Sequence, residues 1–132
     1  MQKLASDLTV ALQEDRPGAL AKGIEAIAKA GINIDGFAEM EGILHVLTND
    51  AGEARRALEA AGLQVRAEQQ VFVAPVEDRP GVAAGIFRRI AQGDVNVNFS
   101  YLASNNRIVV GANNVHKVAE LVAKESPTAA QR

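Results

Sequence analysis

The segment EDRPG occurs twice, at residues 14–18 and 77–81, and each copy places an aspartate, an arginine and a glycine directly before a helical pattern. The start of such a helix has unpaired N–H groups and the positive end of the helix dipole, so it can receive a carboxylate. Asp15 and Asp78 could accept an ammonium group of the same ligand. The glycine has no Cβ and lets a ligand approach the backbone. Both segments therefore have the chemistry to bind a small zwitterion.

An asparagine follows each helical pattern, Asn33 in the first copy and Asn96 in the second, where a new strand pattern begins. A side-chain amide both donates and accepts hydrogen bonds, so it can address either charged end of a zwitterion. A plainer interpretation stays open for each of these residues. The aspartates and asparagines could instead bond to nearby backbone in turns or caps. Arg16 and Arg79 could bind a ligand carboxylate, pair with an acidic side chain, or lie in solvent.

Neither metal binding nor catalysis is indicated by the sequence. There is no cysteine, and the two histidines, His45 in a strand pattern and His116 at a helix start, do not have the spacing of paired metal ligands. The motifs GxxxxGK(S/T), GxGxxG and GxSxG, which mark common phosphate, dinucleotide and hydrolase sites, do not occur. We therefore expect a protein that is not an enzyme and uses no cofactor or metal.

The repeated segment belongs to a longer duplication. A shift of 63 residues aligns VALQEDRPGALAKGIEAIAKAGINI, which starts at Val10, with VAPVEDRPGVAAGIFRRIAQGDVNV, which starts at Val73, without a gap. A period of this length indicates duplicated domains, because solenoid repeats are usually about 20–50 residues long. We predict a first domain over residues 1–70 and a second over 71–132. Each is expected to be marginally stable alone, since a unit of about 60 residues buries little surface.

The first copy predicts the ferredoxin-like order βαββαβ. Alternating apolar residues predict strands near residues 8–12, 34–40 and 43–48, and helical spacing predicts helices after Pro17 and after Asn49-Asp50. A fourth strand is predicted over residues 63–70, which completes the plan. In this plan we expect the loops that connect the first two strands to the helix to lie at the same end of the sheet. Each copy of the EDRPG loop would then form a pocket there.

The second copy predicts the same order but has no pattern for its last strand, because the chain ends in the polar, proline-interrupted tail ESPTAAQR. The expected fold class is therefore α+β with two ferredoxin-like βαββαβ repeats, of which the second lacks its fourth strand. That gap would leave the apolar strand Val71–Val76 at an exposed sheet edge, which proteins normally cover. Between Leu63 and Ala74 there is no glycine or proline, so the two adjoining strands are expected to continue as one long, bent ribbon.

Composition excludes several classes of function. The chain has 132 residues, a net charge of -2 and 48% hydrophobic residues, which is typical of a globular domain and gives no basic surface for nucleic acid or an anionic membrane. No apolar run approaches the roughly 20 residues that cross a bilayer, and the N-terminus lacks the apolar stretch of a signal peptide. We therefore expect a cytoplasmic protein with no membrane and no nucleic acid among its partners.

The strand, the segment DRPG, the helix and the segment GINI together resemble the ACT domain, in both copies and over about Leu8 to Lys124. ACT domains are typically regulatory modules that bind amino acids. They pair side by side and hold the ligand at the pairing interface, beside the first strand–helix loop and the start of the second strand. Many relatives attach the module to an enzyme, for which this chain has no room. The resemblance implies these ligand-binding residues: Asp15, Arg16, Gly18, Ala19, Leu20, Asn33, Ile34, Asp78, Arg79, Gly81, Val82, Ala83, Asn96 and Val97.

The leading hypothesis is a tandem ACT protein without catalytic activity, which binds a free amino acid or similar small molecule at the ACT–ACT interface and acts allosterically. The regulated target would be an enzyme in trans. The alternative is an assembly module that uses the same fold for protein–protein interaction without a ligand. The open edge at Val71–Val76 and strands that are apolar on both faces also predict a homodimer, since two-fold pairing is the commonest oligomer symmetry.

Overall fold

The computed structural model describes residues 2–12 and 17–123. It contains six strands and four helices in the order βαββαβαββα within these residues. The strands are β1 (Lys3–Ala11), β2 (Gly36–Met40), β3 (Ile43–Leu47), β4 (Gln64–Pro75), β5 (Val97–Ala103) and β6 (Arg107–Ala112). The helices are α1 (Ala19–Lys29), α2 (Ala51–Ala60), α3 (Val82–Gln92) and α4 (Val115–Ala123). The tail ESPTAAQR lies outside the described residues.

The prediction of two ferredoxin-like repeats is wrong. The chain is α+β, but its six strands follow one closed order, β1-β3-β2-β5-β6-β4, and form a barrel. A closed barrel has no edge strand. The exposed edge predicted for Val71–Val76 is therefore absent, and a missing fourth strand of the second copy no longer argues for a homodimer.

The physical reason for the error lies in β4. It runs as one strand of 12 residues from Gln64 to Pro75, as the absence of glycine and proline before Pro75 predicts. Its second part pairs antiparallel with β6, from Phe72 opposite Val110 to Pro75 opposite Arg107. One continuous strand therefore contributes residues to both copies of the repeat. No turn interrupts it at the predicted boundary between residues 70 and 71.

Contacts divide the chain into two compact units. The first unit comprises residues 5–70. In its sheet β3 pairs antiparallel with β1 and with β2, and α1 and α2 cover one face of these strands. The fully buried members of its core include Leu8, Val10, Ile27, Leu44, Val46 and Leu58.

The described part of the second unit comprises residues 2–4 and 71–123. Its central strand β6 pairs antiparallel with β4 and with β5. Its core contains Phe72, Ala74, Ile86, Ile90, Val110 and Val118, and the N-terminal Leu4 packs against that core from the other end of the chain. The second unit therefore uses residues from both ends of the described sequence.

The two copies do not match at a constant shift of 63 residues. Helix α1 begins after Gly18 and α3 after Gly81, which keeps that shift. In the preceding strands, however, the core residues Leu8, Val10 and Leu12 correspond to Phe72, Ala74 and Val76, a shift of 64. Because neighbouring strand residues point to opposite faces, the gapless alignment of Val10 with Val73 pairs side chains on opposite faces. The loop before α1 is therefore one residue longer than the loop before α3.

The strand registers also correct the expectation that the first two connections of each copy converge. Both β1 and β2 are antiparallel to β3, so they are parallel to each other. Ala11, at the end of β1, is level with Met40, at the end of β2, through their shared partner Ile43. The loop after β1 therefore leaves from the end of the sheet that is opposite the start of β2.

Among the described residues, no helix has both the length and the apolar character needed to cross a membrane.

Candidate functional site

The four helices differ in how their N-termini are capped. The Asp50 side chain accepts a hydrogen bond from the N–H of Glu53 at the start of α2, and Asn114 Oδ1 accepts one from the N–H of Lys117 in α4. Helices α1 and α3 begin at Gly18 and Gly81, which have no side chain to make such a bond. The two helices that follow the EDRPG segments therefore present N–H groups without a side-chain cap from their N-cap residue, which suits an anionic ligand group.

Gly18 and Gly81 have positive φ angles, +93° and +90°. This left-handed backbone strongly favours glycine because a Cβ would crowd the neighbouring carbonyl. Apart from the adjoining residues of the chain, no atom of the described residues lies within 4 Å of the position that a Cβ would take at either glycine. The glycines are therefore required by the backbone, and the space beside them is open.

We expect Gly81→Ala to lower the free energy of unfolding by about 1–2 kcal/mol, because alanine is strained at φ +90°. The matched control is Gly85→Ala inside α3, where the nearest heavy atom to the new Cβ is an ordinary 3.6 Å away and the backbone is helical. That change should stabilise the protein by about 0.5–1 kcal/mol. Urea denaturation of both variants measures the difference. Equal effects of the same sign would show that the conformation at Gly81 is not fixed.

The loop before α3 contains three charged residues with different partners. Arg79 donates from Nε to Glu77 Oε2 at 3.1 Å and from Nη2 to Glu77 Oε1 at 3.3 Å. Hydrogen bonding and the charge of Arg79 hold the pKa of Glu77 below its usual value, and Glu77 raises the pKa of Arg79. Both groups are exposed, so this pair has little effect on stability. Asp78 has no hydrogen-bond or ion-pair partner among the described residues.

A cleft of about 300 Å³ lies between this loop and the β5–β6 hairpin. One wall is formed by the segment 76–79 together with Ala83 in the first turn of α3, and the other by Leu102, Ala103 and Asn106. The N–H of Val76 donates to the carbonyl of Asn106 at 2.8 Å, which fixes the hairpin against the loop. The cleft therefore combines charged groups with an apolar wall inside one unit.

The asparagines lie away from this cleft and bond locally. Asn33 Nδ2 donates to Asp35 Oδ1 at 2.9 Å, and Asn96 Nδ2 donates to Asn98 Oδ1 at 3.3 Å. Both asparagines are exposed. Because each precedes the second strand of its copy, each lies at the opposite end of its own sheet from the loop that carries EDRPG.

The structure thus brings together only part of the predicted set. Asp78, Arg79 and Ala83 line one cleft, with Gly81 and Val82 at the adjacent helix start. Asp15 and Arg16 lie outside the described residues, and Gly18 begins α1. The remaining apolar members are partly buried against the two cores: Ala19, Leu20 and Ile34 against the first, Val82 and Val97 against the second.

Sequence reasoning missed two features. The hairpin residues Leu102 and Asn106 enter the cleft, although only the pairing of β5 with β6 brings them there. A polar cluster on β1 and β3 was missed as well: Asp7 is fully buried, and its Oδ1 lies 3.1 Å from His45 Nδ1 and accepts from Thr9 Oγ1 at 3.3 Å. The cluster could have been suspected from the sequence, because the segment LASDLTVAL places the charged residue Asp7 within a strand pattern.

Comparison with solved structures identifies the fold. A protein from Bacteroides thetaiotaomicron matches with a TM-score of 0.82 and 25% identity, over 94% of this chain and 90% of that one. The regulatory subunit of aspartate kinase from Thermus flavus matches with a TM-score of 0.69 and 20% identity, over 94% of both chains. The ligand-free regulatory subunit of aspartate kinase from Thermus thermophilus gives 0.66 and 22%, over 93% and 95%. No family model and no curated protein matches the chain. These similarities show that the chain shares the fold of these proteins.

Proposed function

We propose that this protein is a non-catalytic regulatory module that binds a free amino acid beside at least one of the helix starts at Gly18 and Gly81. It acts by changing the activity of an enzyme in trans. The observation that carries the proposal is the contrast between the helix N-termini. Those of α2 and α4 are capped by side chains, whereas α1 and α3 begin at left-handed glycines with open space beside them. The fold of the aspartate kinase regulatory subunits is consistent with such a role.

The predicted asparagines bear on how a full site would be assembled. Asn33 and Asn96 lie at the end of the sheet opposite their own loops, so no single unit joins a loop residue to its own asparagine in one pocket. A ligand that contacts both a loop and an asparagine therefore needs residues from two units, and a second copy of the chain can supply the other unit. This geometry supports a homodimer, whereas the exposed edge predicted from the sequence is absent. The cytoplasm remains the proposed location.

Binding of a free amino acid should raise the melting temperature. At a ligand concentration of about 100 times the Kd, a single site adds roughly 2.7 kcal/mol of stability. For a chain of this length that corresponds to a shift on the order of 5–10 °C. The measurement is a thermal-shift screen of the twenty amino acids, followed by titration calorimetry of each hit.

A flat response to all twenty, repeated by calorimetry, would contradict the proposal and favour the assembly module. Asn96→Ala separates the two arrangements of the site. If a second chain places Asn96 at the ligand, the affinity should fall by roughly 5- to 150-fold while the melting temperature without ligand stays unchanged. An unchanged affinity would restrict the site to the helix start and its loop.

A further inference from the structure

The two units differ in the side chains at the tip of their hairpins, β2–β3 in the first unit and β5–β6 in the second. In each unit the carbonyl at the end of the hairpin turn accepts from the strand before the loop: Gly42 from Leu12 in the first unit and Asn106 from Val76 in the second, both at 2.8 Å. The turns are thus equivalent, but their side chains are not. Where the second unit has Leu102, Ala103 and Asn106, the first unit has Glu39, Met40 and Gly42.

The charges of the second-unit cleft favour a neutral zwitterion over an acidic ligand. Glu77 and Asp78 carry two negative charges and Arg79 one positive charge, so the loop has a net charge of one negative unit. The Asp78 carboxylate has no partner among the described residues and can accept an ammonium group. Arg79 uses Nε and Nη2 for Glu77, and its other N–H groups remain able to donate to a carboxylate. A second carboxylate on the ligand would meet repulsion from Glu77 and Asp78.

The remaining walls are suited to an apolar side chain. Val76, Ala83, Leu102 and Ala103 line the cleft, and Leu102 is 67% exposed, so an unfilled cleft leaves a large apolar side chain in water. Covering that surface with a hydrocarbon group would remove it from water and stabilise the complex. A volume of about 300 Å³ is at the small end of ligand pockets and is sufficient for a single amino acid.

We propose that the second unit alone binds the amino acid, in the cleft between residues 76–83 and the hairpin end at 102–106, and that the preferred ligand is a neutral amino acid with a branched aliphatic side chain. This inference rests on the proposed function. Leu102 is the residue that sets the preference, because its counterpart in the first unit is the carboxylate of Glu39.

The test uses the full chain and three ligands of similar shape: L-leucine, L-asparagine and L-aspartate. Titration calorimetry should give one leucine site per chain. Asparagine and aspartate should bind about 10- to 100-fold more weakly, because neither replaces the apolar contact. Amide NMR of the protein with leucine should show shifts concentrated at residues 76–83 and 102–106.

The decisive variant is Leu102→Glu, which gives the second unit the hairpin residue of the first. It should weaken leucine binding by about 10- to 100-fold. The matched control, Met40→Glu, changes a 75% exposed apolar residue at the hairpin end of the first unit and should leave the affinity unaltered.

The outcomes separate this inference from the proposed function. Leucine binding that survives Leu102→Glu, a stoichiometry of two per chain, or aspartate binding as tight as leucine overturns the inference and leaves an amino-acid-binding protein. A chain that binds none of the twenty amino acids overturns both.

Discussion

Replacing Phe72 with alanine is expected to lower the free energy of unfolding by about 3–5 kcal/mol. Phe72 is the largest of the fully buried side chains and lies in the core of the second unit. Its removal takes apolar contacts away and leaves a cavity that the strand β4, paired with β6 at Phe72 and Val110, cannot readily close. Because small domains have a total stability of only about 5–15 kcal/mol, this single change should bring the protein close to unfolding.

Phe37→Ala is the matched control for this prediction. Phe37 is also a strand phenylalanine, on β2, but half of its surface is exposed. Its truncation leaves no closed cavity and should cost less than about 1 kcal/mol. Guanidinium denaturation followed by circular dichroism gives both values from the midpoint and slope. A loss for Phe72→Ala as small as that for Phe37→Ala would show that the second core is not packed as described.

Replacing His45 with leucine is expected to cost about 1–3 kcal/mol, because the buried Asp7 loses its contact with His45 Nδ1 at 3.1 Å. Asp7 is fully buried, so water cannot replace the lost contact. The bond from Thr9 remains but is longer, 3.3 Å. A buried carboxylate that loses a charged or hydrogen-bonding partner is destabilised far more than a surface one.

The double variant Asp7→Leu with His45→Leu tests whether the effect comes from the pair. If the loss in His45→Leu arises from the contact that the Asp7 carboxylate has lost, removing that carboxylate as well should recover part of the stability. The coupling energy from the double-mutant cycle should then be at least about 1 kcal/mol. Additive losses would mean that the two side chains act independently. Urea denaturation at neutral pH of all four proteins completes the cycle.

By itself the sequence determined the local elements and the chemistry at their ends. The alternation of Leu8, Val10 and Leu12 predicted β1, and the spacing after Pro17 predicted α1, because these patterns depend only on which residues of a strand or helix share a face. The capping residue Asp50 before α2 was also readable, since a cap bonds within its own turn. The lack of glycine and proline before Pro75 predicted the single long strand β4.

Only the tertiary structure decided how the strands are arranged. The repeat suggested two separate sheets, but β4 serves both copies and the strand order closes, which no local pattern can specify because strand pairing joins residues far apart in sequence. A one-residue difference between the loops was hidden by the identical EDRPG segments. The difference in loop length became visible only when the core residues of the two strands were compared, because a shift of one residue moves every side chain of a strand to the opposite face.

The candidate site divides in the same way. The sequence identified Gly18, Gly81 and the charged loop, because the backbone requirement of a helix start and the chemistry of a carboxylate are local properties. It did not show that each asparagine lies at the end of its own sheet opposite the loop, because that position depends on two strands running parallel through a shared partner. It missed Leu102, which reaches the cleft only because β5 pairs with β6 and the hairpin end returns to the loop. Side chains that meet across a sheet are set by register, and register is fixed by the packing of the whole core.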